Sequence, residues 1–288
     1  MKFILTGHKG LIGSALLKKL KSQGHTPILL IDKRDNKDII NIDKIQLTEK
    51  PDIFIHLAAA CKINKTIAEP DWAFQNNVLG IHKIMEFCRK NKIPKIVFTS
   101  SSRILSPEKN PYTASKIYSE ELIKGYAQCY RIKYIIIRPS TVYGPFNDKT
   151  KRLIDLWMSA SLKGEELKIF GDKAKTLDFT YSEDFIEAFL LAMQQNNKEF
   201  NIAGGKGISL DYVADYIIKL AGKGTKNFYP EEIAQPQEVE LDISAIKALG
   251  WEPKTSIEEG LKKTFDWYKE NWENLESKFY HTPVQNNL

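Results

Sequence analysis

Tyr112 and Lys116 lie four residues apart in YTASK, at the start of a helical pattern, so a phenol and an ammonium share one helix face. A free phenol has a pKa of about 10. A neighbouring ammonium favours the phenolate, which is then a competent base for an alcohol proton near neutral pH. Ser101 closes the apolar run KIVFTSS just upstream, where its hydroxyl can hydrogen-bond the same oxygen. A Tyr-x-x-x-Lys pair by itself is a common chance match. Its meaning depends on a second site near the chain start.

That second site is TGHKGLIG, which sets Gly7, Gly10 and Gly13 between a short apolar strand and a helix. Glycines let the backbone turn tightly and let a phosphate approach the amide donors of a helix N-terminus. Asp32 ends the next apolar run, nineteen residues beyond Gly13, where a carboxylate can hold ribose hydroxyls. An acid there favours NAD over NADP, because a 2′-phosphate would be repelled. Lys33 and Arg34 follow directly and weaken that preference.

These groups need a scaffold, and the chain reads as alternating strands and helices. KFILTG, TPILLIDK, a short DIIN, PDIFIHLAA, KIVFTSS and KYIIIRPSTVYG read as strands. LIGSALLKKLKSQG, the long stretch 71–92 and the stretch 112–131 read as helices. Strands apolar on both faces predict an α/β fold with a Rossmann-type, doubly wound parallel sheet. The segments GHKG, HLAA, TSS and RPS all fall at its C-terminal edge, where such sheets bind ligands. Residues 1–145, continued by 176–204, are expected to form the nucleotide domain. Residues 146–175 and 205–288 are expected to form a smaller, discontinuous α/β substrate domain, in which Ser209 caps a helix.

The composition suits this reading. The chain has 288 residues, 42% hydrophobic and 27% charged, without an apolar run long enough to cross a membrane. The net charge of +6 is spread along the chain, which argues against a nucleic-acid partner and leaves anionic small molecules open. Cys61, Cys88 and Cys129 make no metal motif or disulfide framework, and the five histidines show no ligand spacing. A cytoplasmic enzyme without a metal is the expectation.

Taken together, TGHKGLIG, DIFIHLAA, NNVLG, FTSS, YTASK, RPSTVYGP, FNIAGG and LGWEPKTSIEEGLKKT resemble, in order, the motifs of the extended short-chain dehydrogenase/reductase family, in its NAD-dependent epimerase/dehydratase branch. The resemblance spans nearly the whole chain. It implies NAD as cofactor, held by Gly7, Gly10, Leu11, Ile12, Gly13, Asp32, Lys33, Leu57, Ala58, Ala59, Asn77, Thr99, Tyr112, Lys116 and Pro139. It implies Tyr112 as acid/base, Lys116 on the nicotinamide ribose and Ser101 as assisting hydroxyl, with Ser101, Ser102, Tyr112 and Thr141 against the substrate. The implied substrate is a nucleotide sugar, oxidised to a keto intermediate and reduced again on its other face. A homodimer through helices near 72–90 and 112–130 is also implied.

Several positions depart from the family pattern. Leu105 and Ser106 stand where Tyr-Gly is usual. Ser102 and Arg103 replace the Asp-Glu pair of the dehydratases, so elimination lacks its acid and base. Thr141 replaces a substrate-binding asparagine, and Leu177 replaces an arginine that meets the diphosphate. The cations Lys149, Lys151, Arg152, Lys173 and Lys175 are candidates to compensate. The readings carried forward are an NAD-dependent sugar epimerase, an NAD(P)-dependent sugar or carbonyl oxidoreductase of the same fold, and a non-catalytic sensor that keeps the Rossmann domain.

Overall fold

The computed structural model describes residues 1–148, 150–232, 241–273 and 275. Six strands form one sheet: β1 (Lys2–Thr6), β2 (Thr26–Ile31), β3 (Ile53–His56), β4 (Lys95–Thr99), β5 (Lys133–Pro139) and, after two excursions, β9 (Lys198–Ile202). Their order is β2-β1-β3-β4-β5-β9 and every pairing is parallel. The order reverses between β1 and β3, so a crevice opens there at the strands' C-terminal ends.

Strand alternation explains the two-sided core. Phe3, Leu5, Ile53, Ile55, Ile135 and Ile137 point to one face, where they pack with Leu16 and Leu20 of α1 (Leu11–Ser22) and Phe185 and Phe189 of α7 (Ser182–Ala192). Ile4, Phe54, Ile96, Phe98 and Ile136 point to the other, against Ile81, Ile84 and Met85 of α4 (Gly80–Lys90) and Ile123 of α5 (Pro111–Tyr130). Both faces are covered, as the apolar strands require.

The stretch expected as one helix over 71–92 is assembled from α3 (Pro70–Ala73), a π-helical segment (Phe74–Leu79) and α4; the short α2 (Ile63–Ala68) precedes it. DIIN, expected as a strand, lies in a 3-10 segment (Ile39–Lys44) begun by the Asp38 side chain, which accepts from the Ile40 amide. Ile39 and Ile42 bury against α4 rather than pair with the sheet.

The second half carries β6 (Thr141–Tyr143), α6 (Leu153–Lys163), β7 (Glu166–Phe170), β8 (Thr176–Tyr181), β10 (Gly207–Ser209), α8 (Leu210–Ala221), β11 (Thr225–Tyr229), α9 (Ser244–Lys247) and α10 (Ile257–Glu270). Strands β10, β8 and β6 form a small mixed sheet, and β11 pairs with β7. Ser209 caps α8, accepting from the Tyr212 amide. Tyr143, Trp157, Phe179, Leu210 and Phe265 build a separate core. Leu241, Ile243, Ile246 and Trp251 pack instead in the core of β1, β5 and β9, so the chain returns to the nucleotide half after β11. The strands β10 and β11 were not legible in the sequence: each is short, and neither alternates.

Candidate active site

The glycine turn is built for close approach. Gly7 has φ +74°, and a Cβ there would lie 2.8 Å from the Ala58 amide nitrogen; one on Gly13 would lie 2.1 Å from the Gly7 carbonyl. Only glycine lets the turn, α1 and the loop after β3 meet so tightly. Gly10 is the N-cap of α1 without a side-chain cap, and Leu11 and Ile12 form its first turn, so free amides face the crevice. Thr6 Oγ1 accepts from the Leu57 and Ala58 amides at 3.2 Å each, pinning that loop to β1.

Asp32, buried at the end of β2, accepts from Arg34 through Nε (2.9 Å), Nη2 (2.8 Å) and the amide (3.1 Å), and from the Lys9 amide (3.1 Å). Burial raises its pKa, but the Arg34 bonds and the two amides outweigh this and hold the carboxyl at about 2. Lys33 turns away to Asn76 and Asp38. Asn77 is wholly engaged in joining elements: it accepts from the Ala60 amide (2.8 Å) and donates to the Ala60 carbonyl (3.1 Å) and Ser115 Oγ (3.0 Å). It thereby locks the Leu57–Ala60 loop, Ala59 included, against α5. Pro139 ends β5 opposite Ile202.

These residues fit a dinucleotide. Among the described residues, His8 Nδ1, Thr99 Oγ1 and Ser100 Oγ are buried polar atoms without a partner, and they belong to the glycine turn and the end of β4. Unpaired buried donors and acceptors at a strand edge mark a place where a polar ligand is due.

Helix α5 begins where its sequence dictates. Pro111 occupies its first turn, and Asn110 and Thr113 form a capping box: the Thr113 amide donates to Asn110 Oδ1 (3.0 Å) and the Asn110 amide to Thr113 Oγ1 (2.9 Å). This start places Tyr112 and Lys116 on the sheet-facing side, both buried. Ser101, also buried, accepts from the Arg103 amide (3.3 Å) and lies close enough to the Tyr112 phenol to lower its pKa. Lys116 Nζ donates to the Thr99 carbonyl (2.8 Å) and lies 4.7 Å above the Phe98 ring.

Burial dominates the electrostatics. It pushes the Tyr112 phenol up to about 12, reinforced by the Cys61 thiol and opposed by the Ser101 hydroxyl and the charges of Arg103 and Arg152. It pulls the Lys116 ammonium down to about 8, opposed by Cys61 and Glu120. The two arginines favour the phenolate in this geometry, and the Lys116 ammonium, 5.9 Å from the Tyr112 ring centroid, gives one of its three N–H donors to Thr99. Ser102 sits in the short turn Ser102–Leu105 that Ser101 caps. Lys109 closes that loop by donating to the Ile104 carbonyl (2.9 Å) and to the Ser106 carbonyl.

The substrate side is equally specific to this chain. Thr141 lines a cavity with Leu11, Gly144, Asp148 and Arg152. Leu177 packs on the second core. Among the candidate compensating cations, Lys175 pairs with Glu231 (2.9 Å), Lys173 lies over Phe228 and Lys151 lies 3.7 Å from Asp155. Lys149 falls outside the described residues. Arg152 alone of these lines the cavity. Asp178 accepts from the Gly204 and Gly205 amides, and Asp184 from those of Lys254 and Thr255, so both acids tie segments together. Cys61 was not singled out in the sequence, although it follows HLAAA directly and therefore belongs to the loop at the sheet's ligand edge; it acts on Tyr112, Lys116 and Arg152 alike.

Comparison with known proteins agrees with the fold. The chain is 33% identical to a putative UDP-glucose 4-epimerase of Methanocaldococcus jannaschii, over 93% of this chain and 98% of that protein. It superposes on the UDP-glucose 4-epimerase of Thermotoga maritima solved with UDP-glucose, with a TM-score of 0.88 and 27% identity over 94% of this chain and all of that one. It superposes on the Thermus thermophilus UDP-glucose 4-epimerase in complex with NAD with a TM-score of 0.85 and 26% identity, covering 93% and 99% of the two chains. The family model for NAD dependent epimerases and dehydratases matches residues 3–203. A glycine turn, an acid at the end of β2 and a buried Ser-Tyr-Lys group thus lie in a chain that belongs to the NAD-dependent epimerase/dehydratase family, enzymes whose cofactor is NAD.

Proposed function

We propose that the protein is an NAD-dependent epimerase of a nucleotide-linked sugar. The observation that carries this is the burial of Ser101, Tyr112 and Lys116 at one strand end, with Lys116 bonded to the Thr99 carbonyl, at the edge of a crevice fitted to NAD. Bound there, NAD supplies a reversible hydride acceptor. The chain's own residues handle the proton. Tyr112 takes it from the sugar hydroxyl as the carbon becomes a ketone and returns it when the carbonyl is reduced from the other face. Ser101 holds the same oxygen, and the charges of Arg103 and Arg152 lower the cost of the phenolate. The names of the relatives support a 4-epimerase acting on a UDP-sugar. Ser102 and Arg103 supply no acid/base pair for elimination, which supports epimerisation over dehydration.

Residues 1–145 with 176–204 are proposed to hold NAD, with 241–251 packed on their core, and 146–175 with 205–232 and 257–270 are proposed to hold the sugar nucleotide. A homodimer is proposed through α4 and α5, supported by the exposure of Ile117, Tyr118 and Tyr130 on α5. Three free cysteines support a cytoplasmic location. The test is a panel of nucleotide sugars followed by NMR of the products. Inversion at one carbon without net NADH supports the reading; stoichiometric NADH without an epimer overturns it.

A further inference from the structure

Among the described residues, Arg103 is a cation without a counterpart. It lies in the turn Ser102–Leu105, two residues from Ser101, and its amide donates to Ser101 Oγ. The backbone of this turn is therefore tied to the hydroxyl that lowers the pKa of the Tyr112 phenol. The side chain is only partly accessible, and its charge acts on that phenol. Among the described residues no carboxylate or carbonyl accepts from its guanidinium. Removing a charge from water without a partner is costly, and a rigid five-donor fork suits a carboxylate or phosphate.

The second guanidinium near the phenol is differently placed. Arg152 donates through Nε to Asp148, which is itself held by the Thr150 amide (2.9 Å) and hydroxyl (2.6 Å). Arg152 lines the cavity beside Thr141 and Leu11. With Leu177 partly buried against the second core, Arg152 is, among the described residues, the cation lining that cavity for the diphosphate of a nucleoside-diphosphate sugar.

We propose that Arg103 is a specificity-determining residue that receives a carboxylate on the sugar ring, so that the preferred substrate is a nucleoside-diphosphate uronic acid. This rests on the epimerase reading above. Tyr112 marks the reacting carbon. When that carbon is C4, the diphosphate on C1 lies across the ring, whereas the C6 substituent is two bonds away. A fork anchored beside the catalytic hydroxyls meets the latter.

The test compares UDP-glucuronate with UDP-glucose in the wild type, Arg103→Gln, Arg103→Lys and Arg152→Gln, with stabilisation by NAD in a thermal melt as the check on folding. Wild-type kcat/KM is expected to favour the uronate. Arg103→Gln should reduce the uronate-to-glucose ratio by about ten- to hundredfold, the range for a hydrogen bond to a charged group, and Arg103→Lys should restore part of it. Arg152→Gln should weaken both sugars and leave the ratio near that of the wild type. A ratio unchanged in Arg103→Gln, or an equal loss on both sugars, overturns the proposal while leaving the epimerase intact. Absence of any epimer from both sugars overturns the proposal, and its absence across the whole panel of nucleotide sugars overturns the epimerase reading as well.

Discussion

The Lys116 ammonium donates to the Thr99 carbonyl at 2.8 Å, joining α5 to the C-terminal end of β4. Burial depresses this ammonium to about 8, against 10.5 for a free lysine. Between those values the unfolded chain binds a proton that the native chain does not, so stability attributable to this group rises with pH from about 8 to 10.5. At neutral pH the buried charge is a cost. Lys116→Met should therefore leave the NAD-free protein as stable as the wild type or more so, by up to about 2 kcal/mol in urea unfolding. The same variant should lose most turnover and bind NAD more weakly. A strongly destabilised variant would show that the Thr99 bond outweighs the burial.

Tyr112→Phe should lower turnover by about 10²–10⁴, the contribution of positioned acid/base catalysis, while NAD stays bound. Ser101→Ala removes a hydroxyl that lowers the phenol's pKa. Its rising limb in a kcat/KM–pH profile should lie above that of the wild type. Full turnover by Tyr112→Phe on the true substrate would remove the tyrosine from the mechanism.

Arg34 and Asp32 form a two-pronged pair exactly where ribose hydroxyls are due, so NAD must compete with Arg34 for the carboxylate. Asp32→Asn should weaken NAD by about tenfold, within the range of a hydrogen bond to a charge. Arg34→Ala should raise the preference for NAD over NADP, since a bare carboxylate then faces the 2′-phosphate. Isothermal titration of both cofactors measures this, and tighter NADP than NAD in the wild type would refute the role of Asp32.

Gly13→Ala tests the turn. Its Cβ would sit 2.1 Å from the Gly7 carbonyl, a backbone atom that cannot swing aside. The strain should cost about 1–3 kcal/mol in unfolding free energy and most of the NAD affinity. Gly125, where a Cβ meets nothing within 4 Å, is the control; its alanine variant should be as stable as the wild type.

His56 is a stability sensor in acid. It is buried against Thr6 Oγ1 (2.7 Å), and burial, with help from Lys116, depresses its pKa to about 3. Below about 6.5 the unfolded chain takes up a proton there and the native chain does not, so stability falls as pH falls from about 6.5 towards 3. His56→Asn should flatten the pH dependence of the urea midpoint over that window, whatever its effect at pH 7.

The order of short-range motifs was legible from the chain alone. TGHKGLIG, the acid at the end of β2 and YTASK each follow from local rules: glycine at a tight turn, a strand ending in a carboxylate, and two residues on one helical face. Apolar runs of strand length likewise determined the parallel sheet. Tertiary structure decided the rest. Asn77, which looks like a ligand-facing residue, spends its polar atoms joining a loop to α5, and Lys116 spends its ammonium on Thr99. Cys61, Arg103 and Arg152 lie far apart along the chain and converge on Tyr112. The physical reason is range. Turn and helix preferences act over a few residues, whereas a phenol's proton affinity depends on burial and on every charge within several ångströms, which only the folded chain brings together.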